Sequence, residues 1–101
     1  MLGTYMLREG KALTVALSGR LDSSTAPDLE KQLDLTDTDK LVFDLAGLEY
    51  ISSAGLRILL ASMKAMDRQG EMTVRHVQPA VMELFTVTGF SEILTIEPDE
   101  E

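Results

Sequence analysis

Nine Lys and Arg against 17 Asp and Glu leave 101 residues with a net charge of −8, a single His and no Cys. A chain of this length makes one domain with one modest core, and its acidic balance excludes the counterion-releasing grip on nucleic acid or an acidic membrane that clustered Lys and Arg provide. Without Cys there are no disulfides, thiolate nucleophiles or thiolate metal sites, and the first 20 residues hold Arg8, Glu9 and Lys11 but no long apolar run, so neither a signal peptide nor an anchor is expected and the expected location is the cytoplasm.

Hydrophobic residues make up 45% of the chain but aromatic ones only 5%, with no Trp, so the core is aliphatic. Thr4 to Arg8 and Ala12 to Ser18 read as a β-hairpin around Glu9-Gly10-Lys11, the second run alternating Leu13, Val15 and Leu17 with smaller polar partners until Gly19 ends it. Ser23-Ser24-Thr25-Ala26-Pro27-Asp28 opens a short helix: hydroxyls for the N-cap, Pro for the first turn, and a Thr25–Asp28 capping box. Its apolar stripe Ala26, Leu29, Leu33 dissolves into a solvated acidic loop holding Asp34, Asp37 and Asp39.

Leu41 to Leu45 is a nearly continuous apolar run, as in a strand covered on both faces, and leads into a loop over Ala46 to Ser52. From Ala54 to Gln69 the residues Leu56, Leu59, Leu60, Met63 and Met66 recur at helical spacing, with Gly70 as the stop. A strand over Glu71 to Val77, a helix from Pro79 to Gly89 with Val81, Leu84 and Phe85 on one face, and a last strand over Ile93 to Glu97 complete the order. The expected fold is α/β: one small domain over residues 1–101, ordered over 3–97 and frayed from Pro98. Parallel βαβ units and the N-terminal hairpin form a mixed sheet of four to five strands with helices packed on it.

The residue inventory is poor in catalytic equipment. The lone His76 falls inside a predicted strand and reads as structural, and no G-x-S-x-G elbow, Walker loop or G-x-G-x-x-G is present. Neither a cofactor nor a metal is implied, because the Asp34, Asp37 and Asp39 spacing lacks the Gly and terminal Glu of a calcium loop. What remains is the junction Glu49-Tyr50-Ile51-Ser52-Ser53-Ala54-Gly55-Leu56, two hydroxyls where a parallel strand gives way to the longest helix. One Ser there is explained by capping; two are not.

The segment LVFDLAGLEYISSAGLRILLASMKAMDRQG, from Leu41 to Gly70, resembles the signature of the STAS domain, the family of bacterial anti-sigma factor antagonists. SGRLDSSTAP, from Ser18 to Pro27, resembles that family's second signature at the right distance, and the likeness in order and spacing reaches from the hairpin to Ile96. The resemblance implies a small switch protein that is not an enzyme. Unphosphorylated, it binds an anti-sigma factor that is itself a serine kinase and so frees a sigma factor; phosphorylation breaks the complex, and a serine phosphatase restores it. It places the phosphoacceptor at Ser53, with Ser52 the second candidate, since Ser52 stands where a common form of the motif has Asp.

Asp22 matches a family acid that aids partner recognition or phosphorylation. Ser23, Thr25, Ser52, Ser53, Gly55, Leu56 and Arg57 make up the rest of the expected partner surface. Met82, off the apolar stripe of its helix, extends that surface. Several have a plainer alternative: Ser52, Ser53, Asp22 and Thr25 as caps, and Gly55 as a point of close backbone approach. The stretch from Ala54 to His76 carries Arg57, Lys64, Arg68 and Arg75 against Asp67 and Glu71, a local net charge of +2 beside the two serines. A monomer is expected. Other partner-switching or transporter-associated roles, and a nucleotide-binding STAS domain, remain alternatives.

Overall fold

The computed structural model describes residues 1–98; of the frayed end expected from Pro98 onward, residues 99–101 lie outside the described residues. Strands β1 (Leu2–Glu9) and β2 (Ala12–Leu21) form the hairpin, followed by α1 (Ala26–Gln32), β3 (Lys40–Ile51), α2 (Ser53–Met66), β4 (Glu71–Arg75), α3 (Pro79–Thr88) and a 3-10 turn over Phe90–Glu92. The sheet order is β1-β2-β3-β4, antiparallel at the hairpin and parallel across β2–β3 and β3–β4. Two central residues, Gly10 and Lys11, close the hairpin; Gly10 at φ +64° supplies the positive angle that such a turn needs at its first central position.

The core lies on one face of the sheet, under the helices. Leu13, Val15, Leu17 and Leu21 of β2, Leu41, Phe43, Leu45, Leu48 and Ile51 of β3, and Met72 and Val74 of β4 meet Leu29, Leu59, Met66, Val81 and Phe85 from above. On the other face Tyr5 and Leu7 are exposed, and Arg75 pairs with Asp44 at 3.2 Å. Met66 and Met72 are core residues as expected, with Met63 packed against them.

Besides shifted ends of β1 (Leu2–Glu9 against Thr4 to Arg8) and α2 (Ser53–Met66 against Ala54 to Gln69), four departures from the sequence reading have a plain physical reason. Strand β2 does not stop at Gly19 but passes through it to Leu21, Gly19 taking φ +86°. Strand β3 does not stop at Leu45: it continues to Ile51 because two register shifts absorb extra residues between Asp44 and Tyr50. Strand β4 ends at Arg75, which leaves His76 outside it, exposed and at φ +58°. Ile93 to Glu97 is not a fifth strand. The Ile93 and Leu94 N–H groups bond the Phe90 carbonyl and close the 3-10 turn, and only a bridge between Ile96 and Val74 reaches the sheet.

The acidic loop is less free than its composition suggests. Arg8 donates to the Asp34 carbonyl and the Thr38 hydroxyl, Gln69 donates to the Leu35 and Thr38 carbonyls, and Thr38 is buried. Hydrogen bonds from the Thr36 hydroxyl and N–H hold the Asp34 carboxyl below its usual range. Gly70 follows α2 because a side chain there would collide with the Asp39 carbonyl.

Candidate functional site

The carboxyl ends of β2 and β3 run side by side. Arg20 pairs with Tyr50 and Leu21 with Ile51, and the Ser52 N–H then donates to the Leu21 carbonyl at 2.9 Å. One strand feeds the loop Asp22 to Thr25 and the other feeds α2, so both sequence signatures reach the same edge of the sheet, the usual functional edge of such folds.

Asp22 organises its loop. Its Oδ1 accepts from the Ser24 hydroxyl at 2.7 Å, the Ser24 N–H at 3.0 Å and the Thr25 N–H at 3.2 Å. The Ser24 bonds, ahead of those from Thr25, hold the carboxyl below its usual 3.8 against a smaller opposing effect of burial. Thr25 is the N-cap of α1 by position, but its hydroxyl makes no cap bond; it accepts from the Asp22 N–H at 2.9 Å and donates to the Arg20 carbonyl at 3.0 Å. The expected Thr25–Asp28 capping box is therefore not formed: the Thr25 hydroxyl is committed to the loop before the helix. Arg20 lies with its guanidinium carbon 4.3 Å from the Tyr50 ring centroid and its Nε 3.8 Å from Asp22 Oδ2.

The first turn of α2 distinguishes its two serines. Ser52 is the N-cap, extended at ψ 178°, and its carbonyl accepts from the Leu56 N–H at 2.9 Å. Its Oγ is buried with no hydrogen-bond partner among the described residues, so it does not cap the helix through its side chain. Ser53 is the first helical residue, exposed, and makes no side-chain hydrogen bond among the described residues. Gly55 is buried, and a Cβ there would stand 2.7 Å from both Leu21 Cγ and Ile51 Cγ1. Its small size thus serves the chain's own core. Leu56 is likewise a core residue at 7% exposure.

Arg57 is exposed one turn beyond Ser53 and makes no ion pair among the described residues. With Ala54 it forms one side of a shallow groove of about 400 Å³, whose other side is Ser23, Pro27 and Glu30 at the start of α1. The structure therefore gathers Asp22, Ser23, Thr25, Ser52, Ser53 and Arg57 around one edge, with Gly55 and Leu56 beneath the surface. Met82 does not line this groove; it is half-buried against the core on α3. Sequence reasoning missed Arg20 and Tyr50, whose register pairing across β2 and β3 brings them to the site.

No group of three or more candidate metal ligands occurs among the described residues, and none of their helices is long and apolar enough to cross a membrane.

Comparison with known proteins agrees with this geometry. The family described as "Mlab, STAS domain" matches residues 7–95. A Bordetella bronchiseptica protein provisionally named anti-sigma factor antagonist BtrV is 37% identical over 94 residues, covering 88% of this chain and 80% of its own. The anti-sigma F factor antagonist of Paenibacillus polymyxa is 32% identical over 93 residues, covering 87% and 80%. The crystal structure of an anti-sigma factor antagonist from Mycobacterium paratuberculosis superposes with a TM-score of 0.87 at 26% identity, covering 98% of this chain and 87% of that one. With nearly the whole chain matched in sequence and in fold, the protein belongs to the STAS domain family.

Proposed function

We propose that this chain is a cytoplasmic anti-sigma factor antagonist. Unphosphorylated, it binds an anti-sigma factor with serine kinase activity and thereby frees a sigma factor. Transfer of the γ-phosphoryl group of ATP to Ser53 Oγ, with release of ADP and loss of the hydroxyl proton to a base on the kinase, ends the binding. A serine phosphatase reverses it by hydrolysis. The observation that carries this reading is the contrast at the start of α2: Ser53 is exposed at the first helical position, while the neighbouring Ser52 Oγ is buried. A kinase can reach the first without disturbing the fold. Asp22, Ser23, Thr25 and Arg57, around the same edge, form the surface the partner reads.

The physics suits a switch. A phosphoryl group adds about −1.5 to −2 charges near neutral pH, and at a helix N-terminus unpaired N–H groups and the helix dipole favour it by roughly 0.3–1 kcal/mol when exposed. The domain therefore tolerates the modification. In a closed interface the same group must be desolvated or face acidic partner groups, at a cost of several kcal/mol. About 4 kcal/mol weakens binding roughly a thousandfold.

The test is incubation with candidate anti-sigma kinases and ATP, location of the phosphate by mass spectrometry, and calorimetry of the complexes. The expected outcome is phosphate on Ser53, retained affinity for Ser53→Ala and lost affinity for Ser53→Asp. Phosphate on Ser52 or on neither serine, equal dissociation constants for the two variants, or tight ATP or GTP binding by the isolated chain overturns the reading.

A further inference from the structure

The two edges of the sheet are treated differently. At β4 the chain covers its own edge: Val74 donates to the Thr95 carbonyl at 2.9 Å, and Glu97 donates back to the Val74 carbonyl at 2.8 Å. At β1 nothing pairs beyond β2 among the described residues.

An open edge is usually blunted by Lys, Pro, a bulge or a short strand. Strand β1 has no Lys, Pro or bulge, and its two charged residues, Arg8 and Glu9, sit at its last two positions beside the turn. It runs eight residues, Leu2–Glu9, in unbroken register with β2, and from Leu2 to Leu7 it carries no charge and no Pro. The closing pair Glu9–Ala12 flanks a two-residue turn, so Leu7, Tyr5 and Gly3 exchange hydrogen bonds with β2, and the N–H and C=O groups of Leu2, Thr4, Met6 and Arg8 point outward. Tyr5 at 64% and Leu7 at 44% exposure stand together on the face of the sheet away from the core.

We propose that β1 is a self-association edge, pairing antiparallel with β1 of a second copy to make one continuous eight-stranded sheet. The occupant follows from the strand's self-complementarity. With the two-fold axis at Met6, Thr4 faces Arg8 of the other copy in the hydrogen-bonding positions. Tyr5 then faces Leu7, and Leu7 faces Tyr5, in the closer non-hydrogen-bonded positions, giving two aromatic–aliphatic cross-strand pairs. The uncharged run is what lets two chains of net charge −8 meet there. Their mutual repulsion keeps the association weak, and screening it with salt strengthens the dimer. The expectation of a monomer takes no account of this edge. The proposal does not depend on phosphorylation of Ser53.

Sedimentation equilibrium of the full chain up to roughly 1 mM tests it, a concentration chosen because so small an interface belongs to the weak class. The expected result is a monomer–dimer equilibrium that tightens from ~0.05 M to ~0.5 M salt, and that Tyr5→Lys weakens about tenfold. The absence of native Cys permits a register test: Tyr5→Cys mixed in equal amounts with Leu7→Cys and oxidised by air gives the mixed disulfide well beyond the half share that random pairing would give. A monomeric mass throughout, a dimer indifferent to Tyr5→Lys, or no preference for the mixed disulfide overturns the proposal.

Discussion

The Ser52 N–H donates to the Leu21 carbonyl at 2.9 Å, and this single backbone bond ties the loop that begins at Asp22 to the first turn of α2. Asp22 and Ser52 lie 30 residues apart in the chain, and their proximity is a consequence of strand pairing.

Ser52 occupies the capping position without capping. Replacing an N-cap Ser by Ala ordinarily costs about 1 kcal/mol. Here the hydroxyl is buried and unpaired among the described residues, so its removal also relieves an unsatisfied polar atom. Ser52→Ala is expected to leave urea stability within about 0.5 kcal/mol of the parent or to raise it. A loss of 1 kcal/mol or more would show that the hydroxyl finds a partner in solution.

Two glycines respond differently to the same change. At Gly55 a new Cβ meets Leu21 Cγ and Ile51 Cγ1 at 2.7 Å, and overpacking of that kind costs about 1–3 kcal/mol, offset in part by the helix preference for Ala. At Gly89, which ends α3 at φ +85°, the Cβ meets nothing within 4 Å, so only the backbone angle opposes it, by about 1 kcal/mol. In denaturant titrations Gly55→Ala is expected to be cooperative but destabilised, and to disturb the Leu21 and Ile51 methyl resonances. Gly89→Ala is expected to leave those resonances unmoved.

Asp22 links stability to pH. The folded carboxyl holds its proton less tightly than the unfolded one, chiefly through the Ser24 hydrogen bonds. Its contribution is therefore full above the unfolded value of 3.8 and is lost as the pH falls through the lower folded value. Asp22→Asn is expected to be less stable than the parent at neutral pH, with the gap closing in acid below that value. A gap that is constant or grows on acidification contradicts the assignment.

Arg57 stands four residues after Ser53 on α2, exposed and without an ion pair among the described residues. If it neutralises a phosphate on Ser53, it lowers the second phosphate pKa, ordinarily about 6. By ³¹P NMR the phosphorylated Arg57→Ala protein is expected to titrate roughly 0.2–0.5 unit higher than the phosphorylated parent, the size of an exposed pair. Identical titration curves remove Arg57 from the switch.

The sequence was readable where periodicity survived. In β2 the buried residues Leu13, Val15, Leu17 and Leu21 keep strict alternation, and in α2 Leu56, Leu59 and Met66 keep the helical repeat. In β3 the buried series runs Phe43, Leu45, Leu48, Ile51, because register shifts against β2 change the phase twice. A series with those gaps looks like a strand followed by a loop. At Ile93 to Glu97 the opposite happened: strand-like composition was drawn at its start into the 3-10 turn closed on the Phe90 carbonyl, and a single bridge at Ile96 is what meets β4. The junction serines were legible as a pair, whereas which hydroxyl faces solvent depends on the helix start, a one-residue matter that composition does not encode.

Between the end of β3 at Ile51 and the start of α2 at Ser53 there is only one residue, and Asp22 to Thr25 is cross-bonded within itself. Among the described residues the edge accordingly has no lid to open and no segment to fold before a partner arrives. Encounter is expected to follow single-step kinetics, its rate set by diffusion and by the sign of the approaching charge, with the difference between partners expressed mainly in how long they stay.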